Sequence, residues 1–141
     1  MSKILTDWQQ ERFDEFEEAI HRKKNLFRNG RIRQLGKTYT LNELGLTLQA
    51  LGYEVYVYTP FTQLEYFAER FIHNDYDLRG INILKTVILF DEVKIDDDEV
   101  KEILKYSRCC QIPVVGFVRY KDEDEEPIQF KTEYECNWVE D

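Results

Sequence analysis

Gly36-Lys37-Thr38, standing at the start of a helical pattern, are residues of the right type and order for phosphate chemistry. Backbone N–H groups at a helix start and a lysine ammonium together suit a polyphosphate, and a threonine hydroxyl can ligate Mg²⁺. Well downstream, Lys85-Thr86-Val87-Ile88-Leu89-Phe90-Asp91-Glu92 reads as a buried strand ending in two carboxylates. Such a helix start and such a strand end are the minimum kit for hydrolysing a nucleoside triphosphate. In that chemistry Lys37 pairs with the β- and γ-phosphates. Thr38 and Asp91 hold Mg²⁺, and Glu92 accepts the proton of the attacking nucleophile. Each half also has a plainer reading: a surface lysine opening an ordinary helix, and a polar strand end.

The elements that must position these groups follow from periodicity. Thr6-Asp7-Trp8-Gln9 has the form of a capping box. Behind it Trp8, Phe13, Phe16, Ala19, Ile20 and Leu26 or Phe27 fall near one helical face. A short polar segment, Asn25 to Arg28, is the candidate for the strand before the loop. Beyond the loop, Leu41, Leu44, Leu48 and Leu51 keep helical spacing up to Gly52. Tyr53 to Thr59 reads as a strand stopped by Pro60. Thr62-Gln63-Leu64-Glu65 opens a further helix carrying Leu64, Phe67, Ala68, Phe71 and Ile72.

Leu84 to Phe90 is a continuous apolar run, as a strand covered on both faces requires. Asp96-Asp97-Asp98-Glu99 suits a helix N-terminus, with Val100, Ile103, Leu104 and Ser107 facing inward. Ile112 to Val118 is another buried strand. An acidic turn, Asp122 to Glu126, leads to an alternating edge strand from Ile128 to Trp138. Alternating strands and helices predict an α/β fold with a mainly parallel sheet flanked by helices, and a C-terminal edge strand. Ligands of such sheets bind at the carboxyl ends of the strands, where the loop before Thr38 and the Asp91-Glu92 tip would meet.

Composition narrows the class further. The 141 residues fit one domain, divided into an N-terminal helix (1–28), a nucleotide-binding core (29–119) and an acidic turn with edge strand (120–141). With 43% hydrophobic and 14% aromatic residues the chain is not disordered. No apolar run approaches the ~18 residues of a membrane span, so no membrane partner is expected. The N-terminus turns acidic too early for a signal peptide. The odd count of three cysteines, two of them adjacent (Cys109 and Cys110, expected in the core), points to a reducing, cytoplasmic setting. His21 and His73 show no ligand spacing.

The net charge of −9 disfavours indiscriminate nucleic-acid binding. It is unevenly spread, since no acid falls between Glu18 and Glu43 whereas Arg22, Lys23, Lys24, Arg28, Arg31, Arg33 and Lys37 do. For Arg22 to Arg28 a solvated helix end is the better account; for Arg31, Arg33 and Lys37 the adjoining loop favours a field for phosphates.

The loop departs from G-x-x-x-x-G-K-[ST], because Arg31 stands where the first glycine belongs. Arg33-Gln34-Leu35-Gly36-Lys37-Thr38 instead resembles the deviant Walker A of the large terminase ATPases of tailed phages. Leu5-Thr6-Asp7-Trp8-Gln9 looks like that family's adenine-recognising segment, Leu78-Arg79-Gly80 like the pair before its Walker B strand, and Val87 to Glu92 like Walker B with its catalytic carboxylate. The resemblance covers about residues 5–119 and implies a P-loop NTPase-like fold that binds ATP with Mg²⁺. By it Gln9 contacts adenine, and Arg33 senses or stabilises the γ-phosphate. Gln34, Gly36, Lys37 and Thr38 hold the nucleotide. Asp91 joins Thr38 at the metal, and Glu92 is the catalytic base.

Two departures stand out. The strand ending at Val118 lacks the polar residues that couple hydrolysis to DNA movement, and the chain has no room for the family's nuclease domain. Translocation and packaging therefore do not follow from the resemblance. Separately, so short a unit is expected to need DNA or a protein subunit to complete its site, since arginine fingers often arrive in trans, and an oligomer is compatible with that. The C-terminal half also resembles thymidine kinases, on Asp91-Glu92, Asp96 to Val100, Ile112 to Phe117 and Glu126-Pro127-Ile128. There Glu92 would be the base on a nucleoside hydroxyl, although Lys94 and Ile95 depart from the pattern and the zinc cysteines are missing. A third reading is a non-catalytic accessory or interaction domain.

Overall fold

The computed structural model describes residues 5–29, 36–59, 70–71, 83–95, 97–119 and 136–139. The elements are α1 (Asp7–His21), β1 (Asn25–Asn29), α2 (Lys37–Ala50), β2 (Glu54–Tyr58), β3 (Arg70–Phe71), β4 (Thr86–Lys94), α3 (Asp98–Cys110), β5 (Val114–Arg119) and β6 (Cys136–Val139). They form an α/β fold around one sheet in the order β3-β2-β4-β5-β1-β6, in which every pairing is parallel. Four strands, β2-β4-β5-β1, make its body, and β3 and β6 are short edge pieces.

The direction of each crossover decides which face a helix covers. From β1 the chain passes over β5 and β4 to reach β2, carrying α2; from β4 it steps the opposite way to β5, carrying α3. Right-handed crossovers running in opposite directions must lie on opposite faces. The core is divided accordingly. On one face Phe16, Ala19 and Ile20 of α1 and Leu41, Leu44 and Leu48 of α2 pack on Val87, Leu89, Val115 and Phe117. On the other, Val100, Ile103 and Leu104 of α3 pack on Ile88, Phe90, Val93, Val114 and Val118. Alternate residues of β4 and β5 thus feed opposite layers, which is why both strands read as unbroken apolar runs.

The helix termini follow from local chemistry. At α1 both capping-box bonds form: the Gln9 N–H donates to Thr6 Oγ1 at 3.2 Å, and the Thr6 N–H donates to Gln9 Oε1 at 3.0 Å. At α3 the Asp97 carboxylate accepts from the Glu99 N–H at 3.0 Å, with Asp98 and Glu99 in the first turn. Val100, Ile103, Leu104 and Ser107 are buried as their spacing predicts.

Several expectations need correction. Leu26 and Phe27 belong to β1 and not to the helical face, because α1 stops at His21; the strand expected at Asn25 to Arg28 is itself present, as Asn25–Asn29. Leu51 is half exposed at the α2 C-cap, one turn past the last buried leucine, Leu48. Leu84 lies outside β4, exposed in a short 3₁₀ turn (Ile83–Lys85). Phe71 is in β3 and not in a helix; the rest of the expected 62–72 helix lies outside the described residues. Cys109 is exposed on the solvent side of α3. The C-terminal edge strand is present as β6, parallel to β1, while the acidic turn lies outside the described residues. Among the described residues no helix is long and apolar enough to cross a membrane.

Candidate phosphate and metal site at the start of α2

Gly36 is the N-cap of α2 and adopts a left-handed conformation, with φ of +73°. A β-carbon there would meet the flexible end of the Gln9 side chain, so it is the left-handed backbone that favours glycine at this position. Having no side chain, Gly36 caps nothing; its carbonyl accepts from the Thr40 N–H and from Thr40 Oγ1 at 2.8 Å. The helix opens with no acidic residue in its first turn. Its leading N–H groups have no partner within the helix, and the dipole leaves partial positive charge there.

Lys37 and Thr38 follow at once and turn toward β4. The Lys37 ammonium, almost fully buried, lies 3.2 Å from Glu92 Oε2. Thr38 Oγ1 donates to Asp91 Oδ2 at 2.8 Å. The four residues that sequence spacing singled out are therefore in contact, joined across a separation of 53 positions.

How two consecutive strand residues reach the same helix end is explained by a bulge. In a regular strand Asp91 would face α2 with Val87 and Leu89, and Glu92 would face α3 with Ile88 and Phe90. Instead the ladder to β5 pairs Asp91 with Phe117 and Val93 with Val118, leaving Glu92 as an extra residue. Phe90 and Val93 both join the α3 layer, three positions apart. Glu92 takes a left-handed φ of +56°, a conformation that costs a non-glycine residue about 1 kcal/mol or more. The acid pair accordingly does not end β4, as the sequence suggests; the strand runs on to Lys94.

The pair is also electrostatically uncomfortable. Burial pushes the Asp91 carboxyl up from 3.8 to about 6. The Glu92 charge adds to that rise, and the Thr38 hydrogen bond and the Lys37 charge oppose it. Oδ1 of Asp91 is buried with no hydrogen-bond partner among the described residues. An ionised carboxylate with one oxygen bare is costly in a protein interior unless something binds it. Among the described residues no three His, Cys, Asp or Glu side chains converge as a metal site.

The remaining candidates divide. Gln9 is nine-tenths buried against Gly36, with its Oε1 taken by the Thr6 N–H, at the rim of this site. Arg31, Arg33, Gln34 and the Arg79-Gly80 pair lie outside the described residues. Of the remaining cations, Arg22 pairs with Glu18 on the surface at 2.9 Å and Lys23 reaches the Leu84 carbonyl. Sequence reading missed the partner of Arg28: its guanidinium holds both oxygens of Glu15 at 2.6 Å. Arg12 joins Glu15 at 3.0 Å and stands over the Trp8 ring, which stacks on Phe117. Nothing in the spacing of Glu15 and Arg28 announces that contact, since one is on a helix and the other on a strand. No family model and no curated protein matches this chain in sequence.

Proposed function

We propose that the start of α2 and the bulge of β4 form a site that binds a nucleoside triphosphate with Mg²⁺ and hydrolyses it. ATP is the nucleotide that the terminase-like loop implies. The observation that carries this reading is the direct contact of Lys37-Thr38 with Glu92-Asp91. An anion-favouring helix start and two carboxylates have been folded onto each other, and such neighbours serve no packing purpose that apolar residues would not serve better.

Charge balance sets the cofactor. A triphosphate brought beside two carboxylates and one ammonium needs a divalent cation between them. The bare Asp91 oxygen beside the Thr38 hydroxyl fits that cation; these two residues would hold it, and it would neutralise charge on the β- and γ-phosphates. Lys37 would exchange its contact with Glu92 for phosphate oxygens. Glu92, thereby released and still within reach of the γ-phosphate, would take a proton from water as the water oxygen attacks phosphorus and the bond to the β-phosphate breaks. Gln9 at the rim is the candidate for the base. Arg33 and Gln34 enter through the resemblance, Arg33 toward the γ-phosphate.

Calorimetric titration with ATP and Mg²⁺ tests the reading. The wild type should bind, and Lys37→Ala should weaken binding by roughly ten- to a hundredfold, the worth of charged hydrogen bonds. A wild type that does not bind leaves the accessory-domain reading in possession. Release of phosphate without an acceptor identifies a hydrolase, whereas thymidine monophosphate formed from added thymidine would make Glu92 the base of a nucleoside kinase.

A further inference from the structure

β5 contains one residue whose conformation nothing in its own strand requires. Gly116 sits mid-strand with φ of +147°, paired on one side with Phe27 of β1 and on the other with Phe90 of β4. A β-carbon on it would overlap the Phe90 carbonyl oxygen and lie 2.7 Å from the Phe90 nitrogen. At this backbone angle any β-carbon would be driven into the Phe90 backbone, so the pairing of β5 with β4 at Phe90 admits only glycine in this conformation. On the α3 face the rings of Phe27 and Phe90 close over the gap, stacked with centroids 5.8 Å apart.

The next residue after Phe90 is Asp91, and the next after that is the extra residue of the bulge. The Gly116 pairing and the bulge are thus consecutive on one strand. Immediately past that pairing, Asp91 meets Thr38 at 2.8 Å and Glu92, the extra residue, meets Lys37 at 3.2 Å. We infer that Gly116 is a positioning residue for the acid pair: its missing side chain sets the backbone of β4 so that Asp91 and Glu92 both face the start of α2. This rests on the hydrolase reading of that pair.

The experiment compares three variants with the wild type for ATP turnover, nucleotide affinity and thermal unfolding. Gly116→Ala should lose about a hundredfold in kcat, the effect of a displacement near 1 Å, and a smaller factor in affinity for ATP with Mg²⁺, because Asp91 shifts at the cation while Lys37 and the helix start keep their place. Val115→Ala truncates the same strand on the other face, and should lower Tm while leaving kcat within about threefold. Phe27→Leu loosens the ring stack without moving β4, and should also keep kcat. Equal kcat for Gly116→Ala and wild type overturns the inference, and so does a kcat loss in Phe27→Leu as large as expected for Gly116→Ala, since packing would then be the cause. If Gly116→Ala does not fold, Phe90→Leu, which alters β4 at the residue paired with Gly116, takes its place: a kcat loss of about a hundredfold with Phe27→Leu near wild type supports the inference, and equal kcat in Phe90→Leu and wild type overturns it. A wild type without turnover instead rejects the hydrolase reading.

Discussion

Two charged clusters stand on the same face of the sheet and at the same level, yet they are built on opposite terms. Arg28, Phe117 and Asp91 are register partners across β1, β5 and β4. On the β1 side Arg28 holds both oxygens of Glu15, and Arg12 adds a second cation. On the β4 side Asp91 has a buried oxygen without a hydrogen-bond partner among the described residues, Glu92 is in a strained conformation, and burial pushes the Asp91 carboxyl up to about 6. The first cluster pairs its charges directly, with Arg28 and Arg12 both on Glu15, and ties α1 to the sheet. The second is assembled against the preferences of its own backbone and solvation, which is where binding and catalysis are found.

The largest expected difference concerns turnover. Glu92→Gln should lower ATP hydrolysis by about a thousandfold with affinity nearly unchanged, as loss of a general base does; an Arg28→Ala protein that remains folded should hydrolyse near the wild-type rate. If both lose activity alike, the two clusters are one site and the contrast fails. Stability should move in opposite directions. Arg28→Ala leaves Glu15 with Arg12 alone, and should cost about 2 kcal/mol in denaturant unfolding, less than a fully buried pair because Glu15 is partly exposed.

Asp91→Asn removes a buried charge, and in metal-free buffer at pH 7 should stabilise by up to roughly 3 kcal/mol. The folded wild type keeps the Asp91 proton up to about pH 6, while an unfolded chain releases it near 3.8. Wild-type stability should therefore fall as pH rises between those values and stay lowered above them, and this slope should vanish in Asp91→Asn. The smallest effect is the most pointed. Deleting Glu92 turns the Asp91–Phe117 and Val93–Val118 pairs into a continuous ladder, so unfolding free energy should change by no more than about 1 kcal/mol. Unfolding of that deletion variant would mean that the bulge supports the fold and not the site.

Much of this architecture is legible in the chain. Val87 to Phe90 and Val114 to Val118 advertise interior strands because both faces are covered, and the types of Lys37-Thr38 and Asp91-Glu92 marked them as groups the fold could bring together, as it does. What stayed hidden depends on pairs of strands. Glutamate is not a residue that signals positive φ, so nothing in Phe90-Asp91-Glu92-Val93 predicts a bulge, and the strand seemed to stop at the acids. Gly116 looked like one more small residue in an apolar run; only its neighbour Phe90 gives it meaning. Leu51 kept the helical spacing of Leu41, Leu44 and Leu48 yet fell at the C-cap, half exposed.

The route of the chain carries a consequence for biogenesis. β1 has β5 and β6 as its only neighbours in the described sheet, and both are made after everything else. An emerging polypeptide can pair β2 with β4 while β1 and its loop wait without a ladder, so long-range parallel pairing should set the pace of folding. Chains that end before Val114 should accordingly lack a fixed contact of Lys37-Thr38 with Asp91-Glu92, even though every residue proposed to touch the nucleotide has by then been synthesised.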